Sequence, residues 1–218
     1  MSEQKIKVLL VDDHTVVRAG FRMLLESQAF IGEIVDVDRG ERACQEYSRF
    51  SPDVVVMDLS MPGIGGLETI RRLCQQNEDV IILVYSIHDE AIYVERALQA
   101  GAKGYVSKNS AAEVLATAVS VVASGQRYIE AGLLPEVQDV RHTDVEQLRE
   151  VVDVLSPREF DVFCLLAKGL TAHEAAADLC LGYKTVANYN TQIKNKLNVS
   201  NAAELAHIAI KLGIIKTS

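Results

Sequence analysis

Polar residues that can do chemistry follow directly on four short runs of β-forming residues. Asp12-Asp13 follows Lys7–Val11, Asp58 follows Val54–Met57, Ser86 follows Val80–Tyr85, and Lys108 follows Gly104–Ser107. Three carboxylates brought together raise one another's pKa or require a cation. A cluster of oxygen donors alone suits Mg²⁺, a hard ion that keeps several waters and binds through one or two carboxylates. A lysine and a hydroxyl on the other side suit a phosphoryl group. Metal, acceptor carboxylate, hydroxyl donor and fixed cation are the parts of a phosphoryl-transfer site. Singly, each residue has a plainer reading: a solvated turn for the Asp pair, a helix cap for Ser86, a surface lysine for Lys108. Five such groups at the ends of four strands favour the chemistry. His14 has no second histidine at useful spacing and is read as structural. A second polar set, Lys184, Thr185, Asn188, Thr191 and Lys194, lies far along the chain.

The elements that must position the first set alternate over residues 5–108. β-rich runs at Lys7–Val11, Ile34–Val37, Val54–Met57, Val80–Tyr85 and Gly104–Ser107 are separated by helical patterns such as Val17–Leu25 and Ala91–Ala100. That alternation implies βαβ units and a parallel sheet. The almost continuously apolar third and fourth runs are expected of strands covered on both faces. A last helix, Ala111–Ser124, ends at Gly125, a C-cap residue. The fold class is α/β, a doubly wound five-stranded parallel sheet, whose ligands sit beyond the carboxyl ends of the strands.

After Arg127 the strand pattern stops. Pro135 interrupts the chain, and Val145, Leu148, Val152 and Leu155 recur at helical spacing, which reads as a linker with an acidic amphipathic helix. Ser156-Pro157-Arg158-Glu159 and Thr171-Ala172-His173-Glu174 are capping boxes, the first with Pro at the first helical position. Gly169 marks a tight turn between their helices. A third helix runs from about Gly182 to Asn198 and a fourth from Asn201 to Gly213. The second and third are placed as a helix-turn-helix. Val186, Ile193 and Leu197 would face inward, and the five polar residues outward. Asn reads adenine edges in two-point fashion, and Thr and Lys bind phosphates. The same pattern also suits a small protein-binding bundle. The domain assignment is 1–126, 127–153 as linker, and 154–218.

Composition bounds the remaining choices. The chain has 218 residues, 49% of them hydrophobic, which supports a packed core and excludes disorder. Val80–Tyr85 is the longest strongly apolar run, far below the roughly 18–20 residues of a spanning helix, and Val8–Val11 is too short for a secretory signal. A cytoplasmic protein without a membrane partner is expected. The cysteines 44, 74, 164 and 180 form no CxxC pair and read as reduced core residues. The net charge of −8 is uneven: residues 1–130 carry −6, residues 131–153 carry −4, and residues 154–218 carry +2. The acidic balance therefore does not exclude nucleic acid as a partner of the C-terminal segment.

Lys7–His14, Asp58-Leu59-Ser60-Met61-Pro62-Gly63 and Gly101–Lys108 resemble the receiver domain of two-component response regulators over about residues 5–125. The resemblance implies the flavodoxin-like strand order 2-1-3-4-5. It implies that Asp58 accepts a phosphoryl group from a sensor histidine kinase. Asp12, Asp13, Asp58 and the Ser60 carbonyl would hold Mg²⁺, Ser86 and Lys108 would bind phosphoryl oxygens, and Tyr105 would be the aromatic switch. Many receivers have a proline after the lysine; here Asn109 follows. Leu155–Glu159, Ala167-Lys168-Gly169, Lys184-Thr185-Val186 and Lys196–Val199 resemble the LuxR-type output domain, so that the whole chain is similar to NarL/FixJ-class response regulators. Gly182, Ala187, Tyr189 and Thr191 depart from the common pattern, which points to altered sequence preference, and the small positive charge to modest non-specific affinity. Dimerisation, through the last helix, would then be needed for useful affinity on double-stranded DNA.

The expected function is a phosphorylation-controlled transcription factor, not an enzyme beyond the self-phosphorylation and self-dephosphorylation of a receiver. Two other classes fit less well. A haloacid-dehalogenase-like phosphatase requires a second aspartate two residues after the first, where this chain has Ser60, and dinucleotide binding requires glycine in the first βα turn, where Asp13-His14-Thr15 stands. A phosphorylated protein whose helical tail binds protein is the third class, kept open by Ala187 and Thr191.

Overall fold

Parallel strands of four to seven residues, each leading into a helix, build the N-terminal part of the chain. They are β1 (Ile6–Val11), α1 (Thr15–Glu26), β2 (Ile31–Val37), α2 (Gly40–Phe50), β3 (Val54–Met57), α3 (Gly66–Gln76), β4 (Ile82–Ser86), α4 (Ala91–Gln99), β5 (Gly104–Ser107) and α5 (Ala112–Ala123). The structure is a computed structural model that describes residues 5–134 and 150–215, which divide into two compact units. In the first unit the strand order is β2-β1-β3-β4-β5, with a short strand of residues 128–129 beyond β5, all pairs parallel. The sixth strand, β6 (Tyr128–Ile129), corrects the expected count of five. Its two residues are too few to show a period. They are recruited by main-chain bonds from the Tyr128 amide to the Lys103 carbonyl (3.3 Å) and from the Glu130 amide to the Tyr105 carbonyl (3.0 Å).

Alternation within the strands supplies both faces. Val8 and Leu10 of β1, Val54 and Val56 of β3, and Leu83 and Tyr85 of β4 pack in one cluster with Leu25 of α1 and Leu115, Ala118, Val119 and Val122 of α5. The intervening Leu9, Val11, Val55, Met57, Ile82 and Val84 are equally buried, as strands sandwiched between helical layers require. β1 and β3 are neighbours, and the chain leaves β1 for the outer β2 before returning to β3. The crevice at the carboxyl ends of this pair is the switch point of the sheet.

The second unit is helical: α6 (Pro157–Ala167), α7 (Ala172–Asp178), α8 (Tyr183–Leu197) and α9 (Ala202–Lys211). Ser156 and Thr171 cap α6 and α7 in full capping boxes with Glu159 and Glu174. Between these helices Gly169 takes φ +92°, a left-handed turn that glycine adopts without strain. Phe160, Val162, Phe163, Ala175, Val186, Ile193, Leu205 and Ala209 form the interior. Glu159 is also paired with Lys196 of α8 at 2.6 Å, which fastens the first helix of the unit to its third.

Two expectations need correction or restriction. Of the four cysteines only Cys164 is buried; Cys44 and Cys74 are half-buried, and Cys180 is exposed in the α7–α8 turn at φ +51°. Most of the acidic linker helix expected over 127–153 lies outside the described residues. Among the described residues, no helix is long and apolar enough to cross a membrane.

Candidate functional site

β1 and β3 pair in register with Val11 opposite Met57, so the residues that follow them, Asp12 and Asp58, emerge side by side. The Asp58 amide donates to the Val11 carbonyl at 2.9 Å, carrying the ladder one step beyond the strands. Asp12 and Asp58 are each 2% exposed. One ligand atom from each of Asp12, Asp13, His14 and Asp58 lies within 4.8 Å of the others. The His14 amide donates to Asp12 Oδ1 at 2.8 Å, and its ring Nδ1 stands 3.0 Å from Asp13 Oδ1. His14 therefore sits at the cluster, although the sequence suggested only a structural part for it.

Lys108 reaches in from the far side, after β5. Its Nζ lies 2.6 Å from Asp12 Oδ2 and 2.8 Å from Asp58 Oδ2. Burial disfavours the ammonium, but Asp58 and Asp12 outweigh it and hold Lys108 above the ordinary lysine range. For Asp58 the balance goes the other way. Burial raises its pKa, and the nearby Asp12 charge adds to this, although Lys108 pulls it down. Two buried carboxylates thus flank one ammonium, with the partly exposed Asp13 beside them.

The remaining expected residues surround this pair. Ser86 is fully buried at the end of β4; its carbonyl accepts the Lys108 amide at 2.8 Å, and its hydroxyl accepts the His88 amide at 3.3 Å. Ser60 donates its amide to Asp58 Oδ1 at 3.3 Å, and its hydroxyl meets His88 Nε2 at 2.8 Å. Tyr105 is fully buried in β5, its hydroxyl donating to the His88 carbonyl at 2.7 Å. The structure therefore brings Asp12, Asp13, Asp58 and Lys108 into one cluster, with Ser60, Ser86 and Tyr105 joined around His88.

Three positioning residues were not apparent in the sequence. Glu130, just past β6, accepts the Ser107 amide at 2.9 Å and the Ser110 hydroxyl, holding the turn that carries Lys108 and Asn109. His88, in the loop after β4, joins the Ser60 hydroxyl to the Tyr105 hydroxyl. Arg158, inside the first capping box, donates to the Leu179 carbonyl at 3.4 Å and so ties α6 to the α7–α8 turn. Each acts through partners 17 to 28 positions away. No local spacing announces such contacts.

In the second unit α7, its turn and α8 form the expected helix-turn-helix. Val186, Ile193 and Leu197 are buried, and Lys184, Thr185, Asn188 and Thr191 are exposed along α8. Lys194 departs from the outward set: it is half-buried, and its Nζ donates to the Ser200 carbonyl at 3.2 Å. The Thr191 hydroxyl donates to the Ala187 carbonyl one turn back, at 3.1 Å. Tyr183, at the first residue of α8, is exposed and stacks on His173 of α7 with ring centroids 4.1 Å apart. The outward face of α8 is polar and weakly charged.

A doubly wound sheet with an acidic crevice at its switch point, opposed by a lysine and followed by a helix-turn-helix unit, defines a class of protein. Residues 8–120 match the response regulator receiver domain family, and residues 153–209 match the luxR family of bacterial regulatory proteins. The chain belongs to the two-component response regulators of the NarL/FixJ class, DNA-binding transcriptional regulators with a receiver and a LuxR-type output domain. It is 38% identical over 209 residues to the response regulator UvrY of Escherichia coli (strain K12), covering 96% of this chain and 95% of that one. It is 39% identical over 209 residues to the transcriptional activator protein ExaE of Pseudomonas putida, covering 96% and 98%. Among solved structures it is similar to the response regulator RcsB in a complex with DNA, at TM-score 0.56 and 25% identity, covering 95% of this chain and 99% of that one.

Proposed function

We propose that Asp58 is the phosphoacceptor, charged by a sensor histidine kinase, and that its phosphorylation controls dimerisation and promoter binding by the output unit. One observation carries the reading: a buried aspartate at the sheet's switch point, with a lysine ammonium 2.8 Å from one of its oxygens and two further carboxylates beside it. That ammonium already stands where a phosphoryl oxygen bound to Asp58 would need a fixed positive charge. The Ser86 hydroxyl, buried at the end of the next strand, is the second group for the same oxygens. Tyr105, bonded to the loop that follows Ser86, is the reporter of its position.

The donor set fits Mg²⁺. Asp12, Asp13 and Asp58 offer hard oxygens, and three carboxylates against one ammonium leave an excess of negative charge that a divalent cation offsets. The Ser60 carbonyl is the further donor. When bound, the ion neutralises charge on the acceptor and on the incoming phosphoryl group. The residues of the chain orient the acceptor oxygen, keep water scarce around it and hold Lys108 charged.

Lys184, Thr185, Asn188 and Thr191 are the proposed contacts to double-stranded DNA, with Asn188 reading a base edge and the others meeting phosphates; Lys194 joins them if it leaves Ser200. Phosphorylation then shifts an equilibrium toward a cytoplasmic homodimer bound to paired half-sites, assembled through α9. The test is gel-shift affinity with and without acetyl phosphate. Wild type gains affinity on treatment and Asp58→Ala does not; equal binding by both removes the switch.

A further inference from the structure

We propose that His14 is a further ligand of the cation held by Asp12, Asp13 and Asp58, and that its imidazole makes the site favour late first-row divalent ions, such as Co²⁺ or Zn²⁺, over Mg²⁺. This rests on the reading of the carboxylate cluster as a cation site, and adds to it a ligand and a selectivity.

His14 precedes α1 as its N-cap residue, in extended backbone, and its side chain takes no part in capping that helix. Its amide donates to Asp12 Oδ1 at 2.8 Å, which folds the residue back onto the carboxylate two positions before it. Nδ1 then stands 3.0 Å from Asp13 Oδ1 and 3.4 Å from Asp12 Oδ1. The nearer contact is not a hydrogen bond: Asp13 Oδ1 is buried, although the side chain is partly exposed, and it accepts none. A buried carboxylate oxygen without a donor is costly. A ring nitrogen and a carboxylate oxygen that lie side by side, rather than bonded to each other, are placed to share a third partner. Neighbouring ligands of an octahedral ion with bonds of roughly 2.0–2.1 Å lie about 3.0 Å apart, which is the spacing of this pair. Lys108 meets the other oxygen of Asp12, Oδ2, and Asp58 Oδ2, so ammonium and imidazole address different sides of the cluster.

The chemistry of the donors sets the selectivity. Carboxylates alone suit a hard ion such as Mg²⁺, which keeps its waters and gains little from an imidazole. For Co²⁺, Ni²⁺ and Zn²⁺ a neutral imidazole nitrogen is a favoured donor, and a mixed nitrogen and oxygen site binds them more tightly than the early ions of the row. The His14 side chain is 62% exposed, so the ring lies at the solvent side of the cluster, where an arriving cation meets it first. Two classes of cation then compete for one site, and one side chain decides the margin between them.

The experiment uses the full chain, stripped of metal and titrated by calorimetry with Co²⁺ and, separately, with Mg²⁺. Wild type binds both, and excess Mg²⁺ displaces Co²⁺ because the site is shared. His14→Ala and His14→Asn each lower the Co²⁺ affinity by about 10- to 100-fold, at least what the loss of a ligand's supporting partner costs. Mg²⁺ affinity changes by less than about twofold in both, and that retained binding shows that each variant is folded. X-ray absorption of the Co²⁺-loaded wild type carries the outer-shell scattering of an imidazole ring, and His14→Asn lacks it. Equal losses for the two ions, an undiminished Co²⁺ affinity, Co²⁺ that Mg²⁺ does not displace, or a wild-type spectrum without the ring each overturn the proposal. Failure of wild type to bind either ion overturns the cation reading of the carboxylates instead, and that outcome is separate because it is read before any variant is compared.

Discussion

At the scale of single residues, Lys108 is the most exacting position in the molecule. It sits between two buried carboxylates at 2.6 and 2.8 Å and is itself only 9% exposed in its side chain. Removing one member of such a group leaves uncompensated buried charge, a loss of about 3–5 kcal/mol when the partners cannot rearrange. Lys108→Ala therefore lowers the urea midpoint of the receiver in metal-free buffer. Added Mg²⁺ restores a large part of that loss, because the cation supplies the missing positive charge. Wild type, which already holds one positive charge between these carboxylates, gains less from the same addition. A variant as stable as wild type without the ion would mean that Asp12 and Asp58 do not depend on the ammonium. On the proposed role of Lys108, phosphorylation of the variant is expected to stay impaired even where stability returns, because no ammonium is left to meet the phosphoryl oxygens.

At the scale of elements, the site depends on how tightly α3 closes on the end of β3. A Cβ on Gly66 would lie 2.2 Å from the Asp58 carbonyl oxygen and 2.5 Å from Leu59 Cα, both main-chain atoms that cannot swing aside. Gly66→Ala is expected to cost about 1–3 kcal/mol and to displace the acceptor. Denaturant titration reads the first effect, and a slower charging rate in the still-folded fraction reads the second. In the output unit the corresponding element is the α6 capping box. Burial works against the Glu159 charge, but Lys196 and the Ser156 amide outweigh it and keep the carboxyl below its ordinary value of 4.5. A lowered folded-state pKa contributes stability that is complete above that ordinary value and is lost as pH falls through the folded one. Glu159→Gln should thus be less stable than wild type at neutral pH, by about 1–3 kcal/mol. The gap narrows as acid protonates the wild-type residue; a gap independent of pH would assign the loss to packing. Most of this architecture is legible from local pattern, because strand ends are polar residues after apolar runs and the caps are short-range motifs. What escaped detection acts at a distance or is too short to have a period: β6, Glu130 with its partner 23 positions back, His88 with its partner 28 positions back. The cysteines erred for a related reason, since an apolar neighbourhood in sequence does not say which side of a helix or turn a residue takes. Lys194 left the expected outward set because its ammonium found the Ser200 carbonyl in the loop after its helix.

At the scale of the whole molecule, the charge distribution decides how DNA can be held. The chain carries −8 overall while residues 154–218 carry only +2, so long-range attraction to a polyanion is weak and affinity must come from the contact face itself. Few phosphate contacts mean a shallow dependence on salt. Lys184→Ala should lower the affinity of the phosphorylated protein for cognate and random duplexes by similar factors, and reduce the slope of log affinity against log salt by about one for each protomer. Asn188→Ala should leave that slope alone and weaken only the cognate site, by about 1–3 kcal/mol, because a base-edge contact is made with the right sequence and not with the others. Measured together by fluorescence anisotropy over a salt series, the two variants separate holding from reading along a single helix. If Asn188→Ala weakened both duplexes equally, or Lys184→Ala changed specificity without changing the slope, α8 would not lie on DNA with its N-terminal half toward the bases. A face this poor in charge also has a consequence for control. On the proposed reading each half-site contributes little by itself, so joining two output units would multiply two weak affinities into a useful one, and a phosphoryl group that favours the pair would act as a switch without touching DNA.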